Sequence, residues 1–439
     1  MLSRDALLEL IPASDATYDV IVAGGGPAGL GAAMAAAMNG AKTLLAEARS
    51  FFGGVAAIAM WMPINRVLLD GGKRGGVHDL FVAKVRALGT EAATEGKSDM
   101  INGDGLDVHP DYLSLAAFEL LEETGCHYRL YSPAIDAVMD KAAPRGLAIR
   151  GIVVQGKDGP QTFTAHTIVD ATGDGDVAYH AGAEIMEGRE EDGRHMPVSL
   201  VFALANVDVE RALAFKTQER AAWNALLAEA ASKGYHTAAW YSLDRTTIPG
   251  VLNVNNGAYV DLGNIDATRS DELTLAERFG VQTAIDFVRL ARDKQIPGLE
   301  NCYLMRTGAH VGVRDTRRIV GEYVLTVEDA RNGTEFEDVV ARKYGAIDAN
   351  QLYIGEMHSG FAYPYRSMLP LRIENLLVAG RCGSATFLGH AAGKSMCNMM
   401  ALGQAAGTAA ALCAAQGVTP RELDVNQLQS VLRSMGAQL

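Results

Sequence analysis

Cysteine is scarce in this chain and never forms a motif. Its five cysteines, Cys126, Cys302, Cys382, Cys397 and Cys413, lie far apart, and no C-x-x-C occurs. That excludes a redox dithiol, an iron–sulfur run and a zinc knuckle. An odd, scattered set suits reduced thiols in a cytoplasmic protein. Basic residues are in the minority: 39 Lys and Arg against 52 Asp and Glu give a formal net charge of −13. Nucleic acid and anionic membrane surfaces, which need clustered cations, are thereby excluded as main partners. Long uninterrupted apolar runs are missing too. Residues 1–5 lack a charged region leading into an apolar core, so no secretory signal is expected. The apolar residues 20–46 are broken by glycines, so no membrane span is expected.

Glycine, by contrast, is plentiful at 47 of 439 residues, above the usual share of about 7%. The first glycine cluster sits in an informative place. Tyr18-Asp19-Val20-Ile21-Val22-Ala23 reads as an apolar strand and runs into Gly24-Gly25-Gly26-Pro27-Ala28-Gly29. An Ala/Met-rich helix follows to about Gly40, then a second strand, Thr43–Ala46, closes on Glu47 and Ala48. Strand, glycine turn, helix, strand and acid stand in the order of a dinucleotide-binding unit. Gly24 allows the tight turn, Gly26 lets backbone approach a pyrophosphate, and Gly29 lets helix and strand pack closely. The helix N-terminus, opened by Pro27 and Ala28, offers free N–H groups to phosphate. Glu47 stands where a carboxylate accepts ribose hydroxyls. The chain is expected to bind an ADP-containing cofactor.

A second glycine pair, Gly53-Gly54, follows soon after. Helical patterns run from Gly76 to about Leu88 and from Asp111 to Thr124, separated by a polar, glycine-rich stretch at 89–109 that reads as a surface loop. Three strand patterns, His127–Tyr131, Ala134–Asp140 and Leu147–Gln155, are punctuated by turns and read as an antiparallel meander. Thr167-Ile168-Val169-Asp170 then leads into Ala171-Thr172-Gly173-Asp174-Gly175-Asp176. Asp174 and Asp176 suit a helix cap better than a metal pair. Strand patterns at 198–205, 250–260 and 301–326 mix with helices near 208–232 and 270–293. A last apolar strand enters Ala379-Gly380-Arg381 before a Gly/Ala-rich helix predicted to start near Gly403-Gln404. This order predicts an α/β fold: a doubly wound Rossmann-like sheet assembled from distant segments, with an inserted α+β substrate domain. The expected boundaries are 15–194 and 372–439 for the nucleotide-binding domain and 195–371 for the insert.

These blocks carry a resemblance. The segment Val169–Asp176 looks like the second FAD contact of the glutathione-reductase-like flavoproteins. Val313-Arg314-Asp315-Thr316-Arg317-Arg318-Ile319-Val320-Gly321-Glu322-Tyr323, Tyr363-Pro364-Tyr365-Arg366-Ser367, Asn375–Cys382 and Gly403-Gln404-Ala405-Ala406-Gly407 together resemble the FAD-dependent oxidoreductases often labelled xanthan lyases. That family is distantly similar to fumarate-reductase flavoproteins. The resemblance spans Tyr18 to about Ala415 and implies FAD as cofactor, held by Gly173, Asp174, Gly380, Arg381, Gly403 and Gln404 besides the first loop and Gly53-Gly54. One departure stands out: where the family carries an Arg about nine residues before the Gly-Gln pair, this chain has Lys394, which keeps the charge and loses the planar fork.

Flavin chemistry asks the protein for a proton carrier and electrostatic clamps. Proton-transfer candidates are His310, His358, His390, Tyr363 and Tyr365. Cationic candidates are Arg314, Arg317, Arg318 and Arg366. Arg314 and Arg318 are expected on one strand face, where ion pairing explains them as well as catalysis does. Arg366, after Pro364 in an aromatic turn, and His390, among small residues, are the preferred catalytic pair, with His358 and Tyr363 next. A single G-x-G-x-x-G without C-x-x-C disfavours a pyridine-nucleotide disulfide reductase. Met60-Trp61-Met62-Pro63-Ile64 lacks the first Trp and the spacing of the halogenase W-x-W-x-I-P. The expected activity is a dehydrogenase or reductase moving hydride between a small organic substrate and the flavin. An electron-transfer or scaffold flavoprotein and a flavin-dependent monooxygenase are the alternatives. Expected partners are a small-molecule substrate and an unidentified electron donor or acceptor, and a homo-oligomer is compatible with the sequence.

Overall fold

The computed structural model describes residues 2–12, 16–61, 64–65, 74–95, 105–143, 146–259 and 262–439. Its main sheet has eight strands among the described residues. The strand Thr17–Ala23 pairs in parallel with Thr43–Ala46 on one side and with residues 164–170 on the other. Leu376–Val378 extends the parallel set beyond Asp170, and His127–Arg129 extends it beyond Ala46. These strands read as continuous apolar runs because both sheet faces are covered: Val20, Ile21 and Val22 are all fully buried.

The parallel placement of His127–Arg129 corrects the expected meander. Its pattern is too short to distinguish a sheet edge from a hairpin arm. The true antiparallel meander is Ala134–Ala143, Gly146–Gly156 and Gly159–Asp170. The last strand does double duty, pairing antiparallel through its first half and parallel through its second. The 89–109 loop is also revised. Ala93–Glu95 and Gly105–Val108 are strands that pair with each other, and the latter pairs with Ile64–Asn65; residues 96–104 lie outside the described set.

A second core forms around an antiparallel sheet of Ala238–Arg245, Val251–Tyr259, Phe202–Ala205 and Tyr303–Thr307. The helix Ser270–Asp293 packs on it, burying Phe287 against Phe202 and Tyr241. The strand Ala238–Arg245 and the hairpin Val339–Asp348/Ile354–Pro364 have no counterpart in the sequence pattern.

The Ala/Gly helices are explained by packing. The helices Pro27–Met38 and Met396–Gln416 cross backbone to backbone. A Cβ on Gly403 would lie 1.9 Å from the Ala28 carbonyl oxygen, and one on Gly407 2.0 Å from that of Ala32. Gly403-Gln404 therefore lies inside a helix that begins at Met396, and the expected helix start there is wrong. A stretch with so little polarity contrast gives no phase from which to read a terminus.

Candidate functional site

The parallel strands end at a cleft of about 1430 Å³ between the main sheet, the second core and the Val339–Pro364 hairpin. That exceeds the roughly 300–1,000 Å³ of a typical small-ligand pocket and leaves room for a cofactor and a substrate together. Gly24, Gly26, Pro27, Ala28, Glu47, Ala48, Gly54, Gly173, Asp174, Gly380 and Arg381 all line it.

The nucleotide loop has the sterics its sequence suggests. Gly24 has φ +96°, and a Cβ there would lie 2.4 Å from the Ala171 carbonyl oxygen. Gly29 is buried behind the loop, where a Cβ would come within 1.6 Å of the Gly24 oxygen. Gly26 differs: a Cβ there would meet only the Gly54 Cα, at 3.9 Å, so the space above the helix N-terminus is open for a phosphate. Gly53 backs the loop by donating its N–H to the Gly25 carbonyl at 2.9 Å, with its own face against Leu113. The Glu47 carboxylate, nearly buried, accepts the Gly25 N–H at 2.5 Å and the Arg49 N–H at 2.7 Å. Burial raises its pKa, and those backbone donors oppose the rise. Each oxygen keeps a lone pair for another donor.

Across the sheet, Asp170 is fully buried and fixes the next turn by accepting from Thr172 and from the Ala178 N–H. Asp174 is not a cap, since the short helix behind it is capped by Gly175. Its carboxylate instead accepts from Arg381 Nη2 at 2.7 Å and Thr316 Oγ1 at 2.8 Å, while Arg381 Nη1 also donates to Thr316. Asp176 pairs with Arg317 at 3.0 Å and is raised to about 6, chiefly by burial and by its acidic neighbours. Among the described residues no cluster could hold a metal ion. Gly403 and Gln404 do not line the cleft; Gln404 Oε1 accepts the Val77 N–H at 3.0 Å.

The preferred catalytic pair is not brought to the cleft. His390 is buried in a five-residue helix and donates from Nε2 to the Arg314 carbonyl at 3.0 Å. Its small neighbours serve packing: a Cβ on Gly389 would lie 2.4 Å from the Leu325 oxygen. Arg366 faces outward, stacks over Tyr323 and Phe336, and pairs with Asp338 at 3.5 Å. Tyr363 is buried, its hydroxyl without a partner among the described residues, behind Gly383 and beneath the Lys343 ammonium. The His358 side chain lies outside the described set. Tyr365 donates to the Pro420 carbonyl.

What the cleft does receive is the segment His310-Val311-Gly312-Val313-Arg314. It is irregular chain, and only Arg318–Ile319 farther on is strand, so the expected shared face of Arg314 and Arg318 does not exist. Arg318 is buried and donates to the Ala385 and Gly188 carbonyls. Arg317 stacks 4.2 Å from the Tyr179 ring. The segment is pinned from two sides. Ala309 donates to the Ile58 carbonyl at 3.2 Å, and Glu277, which the sequence did not single out, accepts the Val311 N–H at 2.8 Å. His310 Nδ1 lies 2.8 Å from the Val311 carbonyl oxygen. A carbonyl only accepts, so Nδ1 carries the proton and Nε2 presents its lone pair. Nε2 is buried and has no partner among the described residues. Burial lowers the imidazole pKa, keeping it neutral near pH 7.

The sequence model of one family, described as FAD dependent oxidoreductase, matches residues 19–432. No curated protein matches this chain. Among solved structures, a geranylgeranyl bacteriochlorophyll reductase-like protein from Thermoplasma acidophilum is similar at 14% identity and a TM-score of 0.49, covering 96% of this chain and 85% of that one. The myxobacterial chondrochloren halogenase CndH is similar at 13% identity and a TM-score of 0.49, covering 96% and 79%.

Proposed function

We propose that this chain, which belongs to the FAD dependent oxidoreductase family and uses FAD, passes a hydride between a carbon of a small organic substrate and the flavin inside the cleft. The observation that carries the reading is His310: a neutral imidazole whose unpartnered Nε2 belongs to a segment lining the cleft. Bound FAD supplies the two-electron acceptor or donor. The chain supplies the rest. Gly24, Gly26, Pro27, Ala28, Glu47 and Ala48 would hold the ADP half, and Gly54, Gly173, Asp174, Gly380 and Arg381 would continue the cradle. His310 Nε2 accepts the substrate's proton as hydride leaves the neighbouring carbon, and returns it when the reaction runs in reverse. Glu277 and Ile58 hold the segment so that this lone pair keeps its aim.

Two measurements follow from this assignment. Glu47→Ala should weaken FAD binding by about 1.5–3 kcal/mol, the worth of a charge-assisted hydrogen bond, read by flavin fluorescence on titration. Unchanged affinity would mean the carboxylate serves only the Gly25 and Arg49 amides. Anaerobic NADH or NADPH alone should leave the flavin oxidised, because the chain has one dinucleotide fingerprint. Rapid bleaching by either would oppose the dehydrogenase reading and favour a monooxygenase.

A further inference from the structure

The cleft holds an unbalanced pair of cations, and their environment points to a substrate class. Most arginines along its walls are paired or solvated. Arg381 is matched by Asp174 and Arg245 by Glu210, while Arg49 and Arg220 are exposed. Arg314 differs. Its Nε is buried with no partner, and no carboxylate lies within ion-pair distance of its guanidinium among the described residues. Lys394, also on the cleft wall, donates to the Asp348 carbonyl and lies 3.8 Å from its carboxylate. Asp348 is itself engaged, accepting the Asn350 N–H at 2.7 Å. Lys394 alone thus reaches a carboxylate, Arg314 feels that same Asp348 only at longer range, and a buried N–H is left over, an arrangement that costs free energy until an acceptor arrives.

We propose that Arg314 and Lys394 form an anion subsite that receives a carboxylate of the substrate. This rests on the cleft being the active site. A planar carboxylate matches the two-pronged guanidinium and brings the missing negative charge. Burial lowers the pKa of both groups. Lys394 is held at about 8 by burial and by Arg314, against the pull of Asp348 and Asp315, with His390 and Lys343 on adjoining elements. Its ammonium is therefore charged below that pH and loses its charge above it.

The test is a titration of the oxidised holoenzyme with acetate, malonate and succinate, read as a shift of the flavin visible band, with succinamide as the neutral control. The acids should give a saturable shift and the amide none. Their affinity should fall as pH rises through about 8, and K394Q should remove that dependence. R314Q should weaken binding by about ten- to a hundredfold. R314K should recover only part of it, and both variants should keep FAD. Equal affinity in R314Q would overturn the subsite, as would the absence of any response to the acids. Loss of FAD from R314Q would overturn it too, by assigning the guanidinium to the cofactor. The band shift is read on oxidised enzyme without turnover, so failure of the proton-transfer reading and failure of the subsite are separable.

Discussion

Replacing His310 with glutamine should slow substrate-driven flavin reduction by roughly a hundred- to ten-thousandfold, the usual worth of a general base, without lowering FAD content. Glutamine keeps size and polarity but removes a proton acceptor that changes charge near neutral pH. The wild-type pH profile should carry the signature of that acceptor. Burial lowers the imidazole pKa below its ordinary value of about 6.5, and only the neutral form accepts. At saturating substrate the rate should therefore rise with pH through a value below 6.5 and then level. In His310→Gln that acid limb should vanish. A parent-like rate and limb in the variant would place the proton carrier elsewhere.

Gly26→Ala should cost FAD binding at least about tenfold, or 1.4 kcal/mol, and leave the melting temperature of the cofactor-free protein unchanged. Gly26 has φ −74° and ψ −174°, backbone that alanine adopts freely. Its built Cβ meets nothing closer than the Gly54 Cα at 3.9 Å. The methyl group therefore intrudes only on the space above the helix N-terminus, where the pyrophosphate is expected. Gly29→Ala makes the contrasting case. Its Cβ would fall 1.6 Å from the Gly24 oxygen, so the strand–helix unit itself should fail and soluble yield should collapse. If Gly26→Ala binds FAD normally, the phosphate does not lie over this loop.

The nucleotide half of the molecule was legible because each of its constraints is local. A strand, a glycine turn and a helix within thirty residues specify one another, and Glu47 follows at a fixed distance. The catalytic half was less so. The sequence favours His390 for its small neighbours, yet small residues serve tight packing as readily as ligand access, as Gly389 against Leu325 shows. The sequence favours Arg366 for its rigid aromatic turn, yet the guanidinium turns outward and stacks on Tyr323 and Phe336, which lie outside that turn. His310 and Arg314 are candidates that the sequence does not rank. They sit on irregular chain without periodicity, and what singles them out is an unpartnered nitrogen on each in a segment that lines the cleft. That property arises only when Ile58, Glu277 and the Val339–Asp348 strand converge from distant parts of the sequence.

In the proposed reaction, electrons pass directly between a small substrate in the cleft and the flavin. Anaerobic mixing of the purified yellow protein with a panel of small organic acids, followed by absorbance, tests it most directly. At least one acid should bleach the flavin rapidly and saturably, with its oxidised product accumulating one for one with reduced flavin. Bleaching by a partner protein alone, with every small molecule inert, would contradict it and leave an electron-transfer subunit in its place.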